Sequence, residues 1–87
     1  MNEVVGDAVA KVIFFYRLGV DAEGSDALAK VMEALQPRLA KNLSMLGPDD
    51  MKFLQSLMQA QAASDYLYVA DLMEFVLPNT ALIRVLD

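Results

Sequence analysis

The sequence predicts an all-α protein: a small bundle of four or five helices, joined as helical hairpins within one domain spanning residues 1–87. Apolar residues recur every three or four positions along most of the chain, which is the spacing of one helix face. Glycine and proline are few, at four and three, and they fall where helix boundaries are expected. A chain of 87 residues is also the length of one small domain. We expect this bundle to dimerise, for reasons given below.

The first helix is predicted over about Glu3–Leu18. Its core face is a stripe of five residues: Val5, Val9, Val12, Ile13 and Tyr16. Asp7 and Lys11 stand at i, i+4 spacing and are expected to form an ion pair on the polar side. Three large apolar residues then fall where solvent is expected: Phe14, Phe15 and Leu18. The C-terminal half of this helix is therefore predicted to be buried on two sides.

The second helix is predicted to follow a loop at Asp21–Gly24, with Ser25 as its N-cap. Five apolar residues follow heptad spacing: Leu28, Met32, Leu35, Leu39 and Leu46. Asn42 fills the remaining heptad position, so the pattern fits a coiled-coil seam with one polar interruption. An ordinary amphipathic core helix explains the spacing equally well. Pro37 removes one backbone hydrogen bond, and it should kink the helix or divide it.

The third helix has the clearest start in the sequence, at Gly47-Pro48-Asp49-Asp50. Proline suits the first helical position, and carboxylates there complement the positive end of the helix dipole. The helix is expected to end near Ala62. Four of its residues are predicted to face the core: Met51, Leu54, Leu57 and Met58.

A further start signal at Ser64-Asp65 predicts a fourth helix over Tyr66–Leu77, closed by Pro78. We expect a tight turn before it, although periodicity also allows a kink. The predicted core stripe is Val69, Leu72, Met73 and Val76. The tail, Asn79–Asp87, either forms a short helix or pairs as an extended segment.

The composition limits the classes of partner. The chain is 56% apolar, more than a domain of this size can hide, so some of that surface should be covered by another protein or by a second copy. The net charge of −5 argues against nucleic acid and against anionic membranes, because both are themselves anionic. No apolar run is long enough to span a bilayer, and no basic leader precedes the first helix, so we expect a cytoplasmic location.

The residues for most enzyme chemistry are missing. The sequence has no histidine and no cysteine, which excludes Ser–His and Cys–His nucleophiles and thiolate metal sites. The neighbouring carboxylates, Asp49/Asp50 and Asp71/Glu74, fit a helix start and a solvated face better than acid–base catalysis. Residues 21–26 resemble a calcium loop, but the sixth position is not glycine and Met32 stands at the twelfth. We therefore expect no enzyme activity, cofactor, metal or small-molecule substrate.

Features typical of binding surfaces are better represented. Phe14, Phe15 and Leu18 fit a dimer or partner contact better than the core of a monomer. Tyr68 and Phe75, seven residues apart and flanked by acids, are candidates for an exposed aromatic patch, with core packing an equal alternative. The six methionines suit adaptable surfaces, but core filling explains them more simply.

Two segments carry a resemblance to a known class of proteins. Residues 59–75, from Gln59 to Phe75, resemble the C-terminal helix–turn–helix of small acidic helical proteins from Gram-positive bacteria that accompany flagellar or surface-motility genes. Phe15-Tyr-Arg-Leu-Gly looks like the matching earlier segment. The pattern is also similar to flagellar export chaperones, which are helical, acidic and bind the apolar helical tails of flagellar subunits. The matching residues suggest an architectural role: Asp65, Tyr66, Ala70, Asp71 and Leu72.

Two hypotheses follow from these observations. In the first, the chain is a non-enzymatic, chaperone- or adaptor-like module that buries apolar helix faces against a partner helix. In the second, it is a structural homo-oligomer without a client, and its apolar surplus is consumed in a large interface between copies.

Overall fold

The protein is all-helical, with no β-strand, in a computed structural model that describes residues 1–87. The helices are α1 (Glu3–Arg17), α2 (Asp21–Lys41), α3 (Pro48–Ala62), α4 (Tyr66–Asp71) and α5 (Leu82–Val85). A 3₁₀ turn (Leu43–Met45) precedes α3, and α4 continues into a π-helical turn (Leu72–Val76) and a second 3₁₀ turn (Leu77–Asn79). The predicted all-α class is confirmed. None of the helices combines the length and the apolar character needed to span a bilayer.

The central helix is α1, which packs against both α2 and α4. Its predicted core stripe is buried, apart from Ile13, which is half-buried. Lys11 Nζ lies 3.0 Å from Asp7 Oδ2, so the predicted ion pair forms. The prediction that the C-terminal half of α1 is buried on two sides is wrong for this chain: Phe14 and Leu18 are exposed. The packing of α2 and α4 on α1 leaves these two residues uncovered within the chain.

The second helix begins five residues earlier than predicted, since its N-cap is Val20 instead of Ser25 and its first helical residue is Asp21. Gly19, at φ +78°, turns the chain directly after α1, so no longer loop is needed. The carboxylate of Asp21 then lies in the first helical turn, where the helix dipole favours it. Gly24, predicted as part of a loop, is a buried residue inside the helix. The Ser25 hydroxyl bonds to the hydroxyl of Tyr16 at 2.7 Å instead of capping the helix.

The coiled-coil alternative for the second helix fails at its C-terminal end. Asn42 is the C-cap, and its side-chain amide donates to the carbonyl of Arg38 at 2.8 Å, so the heptad spacing is interrupted there. Leu46 lies beyond the 3₁₀ turn. The helix is an ordinary amphipathic core helix, and it runs continuously through Pro37, whose ring is on the exposed side.

The third helix has the predicted ends but a different buried face. Phe53, Leu57 and Ala60 are buried, whereas Met51 and Met58, predicted for the core, are exposed. Asp50 determines this rotation. Its buried carboxylate accepts hydrogen bonds from the backbone N–H of Gly47 at 2.8 Å and of Ala81 at 2.9 Å. Phe53 and Leu57 share the inward side with Asp50, because they follow it at i+3 and i+7.

A turn at residues 63–64 separates α3 from α4, as predicted. Ser64 has a positive φ of 55°, and the Asp65 carboxylate accepts a hydrogen bond from the Tyr68 N–H, which caps α4. The predicted core stripe of this last helical segment is correct except at Val76. Val76 is exposed and Leu77 is buried, because the Leu77 N–H donates to the Leu72 carbonyl across five residues and the wider π turn shifts the inward side by one residue.

The tail takes the helical alternative, as α5. Leu82, Val85 and Leu86 of the tail are buried in the same core as α1. The Leu86 carbonyl accepts a hydrogen bond from the Asn2 N–H at 3.1 Å, which joins the tail to the start of α1.

Candidate protein-interaction surface

Four large apolar side chains are exposed where α1 lies against α4. Phe14 and Leu18 on α1 are 58% and 62% exposed, and Leu67 and Phe75 on the facing segment are 60% and 61% exposed. We call these four residues, together with Arg17, the α1–α4 face. Isolated exposed apolar residues are normal in proteins, whereas a contiguous group on neighbouring elements is typical of an interaction surface.

On α1, the face is built by helical spacing. Phe14 and Leu18 are four residues apart, so they are neighbours on one side of the helix, and Arg17 follows Phe14 at i+3 on the same side. The ring of Phe14 also contacts the ring of Phe15 edge-on, with 5.3 Å between their centroids. Phe14 and Leu18 therefore form a continuous apolar ridge that ends where α1 ends.

Arg17 joins the two halves of the face. Its Nη2 donates to Asp71 Oδ1 at 3.0 Å and to Glu74 Oε1 at 3.2 Å, and its guanidinium carbon lies 6.0 Å from the centroid of the Phe75 ring. The hydrogen bond to Asp71, followed by the charge of Glu74, raises the pKa of the guanidinium above its ordinary value. Exposed ion pairs contribute little to stability, so the main consequence here is positional: Phe75 is held beside α1.

The other end of the face borders a shallow recess. Leu18 and Leu67 line it, together with Asp21 and Asp65, which begin α2 and cap α4 respectively. Sequence reasoning missed Leu67. Its spacing places it on the same side of α4 as Asp71, four residues later, but only the packing of α4 beside α1 makes that side part of the face.

The structure brings together three of the five predicted interface residues, Phe14, Leu18 and Phe75, and separates the other two. Phe15 is half-buried and lines a groove of about 350 Å³ between α1 and α2. Tyr68 lines a cleft of about 340 Å³ between α3 and the π turn. Tyr68 and Phe75 thus border different helices and do not form one aromatic patch.

A second exposed apolar stripe lies on α3. Met51 and Met58 are exposed, and half-buried Leu54 lies between them at helical spacing. We call these three residues the Met face. Its polar neighbours on α3 are the uncharged Gln55 and Gln59 and one exposed cation, Lys52.

Three of the four carboxylates in the two predicted pairs have structural partners, and Asp49 is exposed. Asp50 accepts two backbone N–H groups, and both Asp71 and Glu74 accept from Arg17. No three carboxylates lie close enough together to hold a metal ion.

The residues on which the predicted resemblance to motility-associated proteins depends lie at packing positions, at a helix cap or in a contact between elements. Ala70 and Leu72 are buried, and the ring of Tyr66 stacks on the ring of Tyr16 at a centroid distance of 4.7 Å. Asp65 caps α4, and Asp71 is paired with Arg17. Comparisons with protein-family models, with curated proteins and with solved structures found no match.

Proposed function

We propose that this protein is a non-enzymatic, chaperone- or adaptor-like module that binds a helical segment of another protein on its α1–α4 face. The observation that supports the proposal is the face itself: four apolar side chains, each more than half exposed, placed around one arginine on two packed helices. Aromatic residues and arginine are the side chains that most often supply binding energy at protein interfaces.

The face is also organised before any partner arrives. Two carboxylates hold the guanidinium of Arg17, and that guanidinium in turn lies beside the ring of Phe75. Side chains that are already ordered lose less conformational entropy on binding, so more of the contact energy remains as affinity. Two packed helices also leave a shallow depression between them, which is the shape that receives an amphipathic helix.

The resemblance of residues 59–75 to small acidic proteins that accompany motility genes, and the similarity of the general pattern to flagellar export chaperones, lead us to propose a bacterial, cytoplasmic setting linked to motility. In this setting the client is an apolar helical segment, and nucleic acid, membrane and small-molecule substrates have no part.

A comparison of three baits tests the proposal in extracts of the source organism: the wild-type chain, Leu18→Glu and Leu43→Glu. Leu43 is the matched control, because it is 63% exposed but lies beyond the far end of α2. We expect the wild type and Leu43→Glu to retain the same protein in stoichiometric amounts, and Leu18→Glu to lose it. Equal retention by all three baits, or no retained protein, would contradict the assignment.

The Met face favours a second candidate function, a structural homo-oligomer. Because its polar neighbours on α3 are the neutral Gln55 and Gln59 and a single exposed cation, Lys52, two copies could meet there with little repulsion between like charges. Light scattering separates the candidates: Met58→Glu should lower the mass of such an oligomer, while Leu18→Glu should not. If Leu18→Glu alone lowers the mass, the α1–α4 face is itself the contact between copies.

A further inference from the structure

The apolar residues of the α1–α4 face are bordered mainly by acidic side chains. Asp71 and Glu74 pair with Arg17 beside Phe75, and Asp21 and Asp65 line the recess beside Leu18. Against these four carboxylates the face itself carries only one cation, the guanidinium of Arg17. Lys11, one turn before Phe14, is paired with Asp7 and adds no net charge.

On the basis of the proposed function, we infer that the partner segment is a basic amphipathic helix, with Lys or Arg on both sides of its apolar stripe. A second copy of this face would bring two acidic borders together, and like charges at an interface are strongly unfavourable. A basic segment reverses the sign of that interaction. The net charge of −5 adds a long-range attraction that increases the rate of encounter with such a segment.

The carboxylates retain the capacity to accept hydrogen bonds from such a partner. Arg17 uses one oxygen of Asp71 and one of Glu74, whereas an ionised carboxylate offers about four acceptor positions. Lys or Arg side chains flanking a bound helix can therefore donate to the remaining positions without displacing Arg17.

The dimensions of the face set the length of the partner's apolar stripe. Leu67 lies near Leu18 and Phe75 lies near Arg17, so the apolar contacts extend along α4 and the π turn from residue 67 to residue 75. Eight residues of helix span about 12 Å, which is roughly two turns. The partner should therefore present apolar residues at i, i+3 or i+4, and i+7.

The test uses two synthetic amphipathic peptides of about 18 residues, or roughly five helical turns, with identical leucine stripes. One has lysine on its polar face and the other has glutamate. Fluorescence anisotropy measures the binding of each peptide to the full chain. We expect the lysine peptide to bind at least about tenfold more tightly than the glutamate peptide, and raising the salt from about 0.05 M to about 0.5 M to weaken its binding.

Two matched double variants locate the charge effect. Asp71→Asn/Glu74→Gln should weaken lysine-peptide binding by about three- to tenfold. The control, Glu3→Gln/Glu33→Gln, removes the same amount of charge from exposed positions. Glu3 lies roughly 16 Å from Phe14 along α1, and Glu33 lies roughly 18 Å from Asp21 along α2, so this variant should change lysine-peptide binding little. Leu18→Glu adds a negative charge but removes an apolar contact, so it weakens binding if the peptide occupies the face. Tighter binding to Leu18→Glu would show general attraction to an acidic protein and would overturn the inference.

The two proposals can fail separately. If the lysine and glutamate peptides bind equally, and Leu18→Glu abolishes both, the basic-partner inference is wrong while the binding face stands. If neither peptide binds, the inference is overturned, and the extract comparison with Leu18→Glu then decides the proposed function by itself.

Discussion

The ring of Tyr16 occupies the space that a side chain at position 24 would need. A Cβ atom built on Gly24 would lie 2.3 Å from Cδ1 and 2.5 Å from Cε1 of Tyr16. The ring cannot easily move away, since it is buried, stacks on Tyr66 and donates to or accepts from the Ser25 hydroxyl. The glycine therefore allows α1 and α2 to approach closely at this point.

Gly24→Ala should destabilise the protein by about 1–3 kcal/mol, because overpacking outweighs the better helix propensity of alanine. Gly6→Ala is the control. Gly6 also lies in a helix, but a Cβ there has no neighbouring atom within 4 Å, so this change should stabilise by about 0.5–1 kcal/mol. Urea unfolding measures both effects. If the Gly24→Ala variant were as stable as the Gly6→Ala variant, the close approach of α1 and α2 at Gly24 would be contradicted.

Asp50 connects the start of α3 to the tail. Its two carboxylate oxygens accept from Gly47 and Ala81 respectively, so Asp50→Ala leaves two partly buried N–H groups without partners. We expect a loss of about 2–4 kcal/mol. Asp49→Ala changes an exposed neighbour in the same helical turn and should cost less than about 1 kcal/mol. Thermal unfolding of the two variants measures both losses of stability. Similar losses would contradict the capping role of Asp50.

The π turn can be tested at Val76 and Leu77, because it buries Leu77 and exposes Val76. Leu77→Ala should cost about 2–5 kcal/mol, because Leu77 is buried, whereas exposed Val76→Ala should cost less than about 1 kcal/mol. A regular α-helix would place Val76 in the core stripe and reverse this order. Chemical denaturation of both variants therefore reports the register of the helix.

Tyr16 predicts a loss of stability at alkaline pH. Burial raises the pKa of its phenol above 10.0; the Ser25 hydrogen bond lowers it by less than burial raises it, and the charges of Tyr66 and Asp21 add smaller increases. The folded-state pKa of Tyr16 is then above its unfolded value. The contribution of the protonated phenol to the free energy of unfolding is therefore complete below pH 10 and is lost as the pH rises through the folded-state pKa.

Urea unfolding measured at a series of pH values above about 10 should show a steeper fall in the free energy of unfolding for the wild type than for Tyr16→Phe, which cannot ionise. Tyr68→Phe removes an exposed phenol and should keep the wild-type slope. Identical slopes for all three proteins would contradict the assignment to Tyr16.

Much of the fold could be predicted from local signals. The end of α1 was predicted to within one residue, and the start of α3 at Pro48 and its end at Ala62 agree with the structure. These boundaries depend on proline, glycine and aspartate, whose backbone preferences act within a few residues. The early start of α2 was missed because glycine is typical of loops, so Gly24 was assigned to one. Only the closeness of Gly24 to the Tyr16 ring shows why a glycine is needed inside the helix.

The candidate surface was predictable in part. Phe14 and Leu18 were identified because they break the polar side of α1, a property of the sequence itself. Leu67 was not, since nothing in the sequence shows that α4 lies beside the C-terminal end of α1. The contacts of Arg17 with Asp71 and Glu74, more than fifty residues away, also depend on that packing.

The sequence by itself determined the all-α class, the main helix boundaries and the excess of apolar residues, because helical periodicity and capping are local properties of the chain. Only the folded structure decided which sides of α3 and of the π turn are covered, whereas the covered side of α1 was predicted. The rotation of α3 depends on a carboxylate that caps a backbone group 31 residues away, and the exchange of Val76 for Leu77 depends on one additional residue in a helical turn. The first results from a contact between distant segments and the second from a hydrogen bond between Leu77 and Leu72, and helical spacing alone encodes neither.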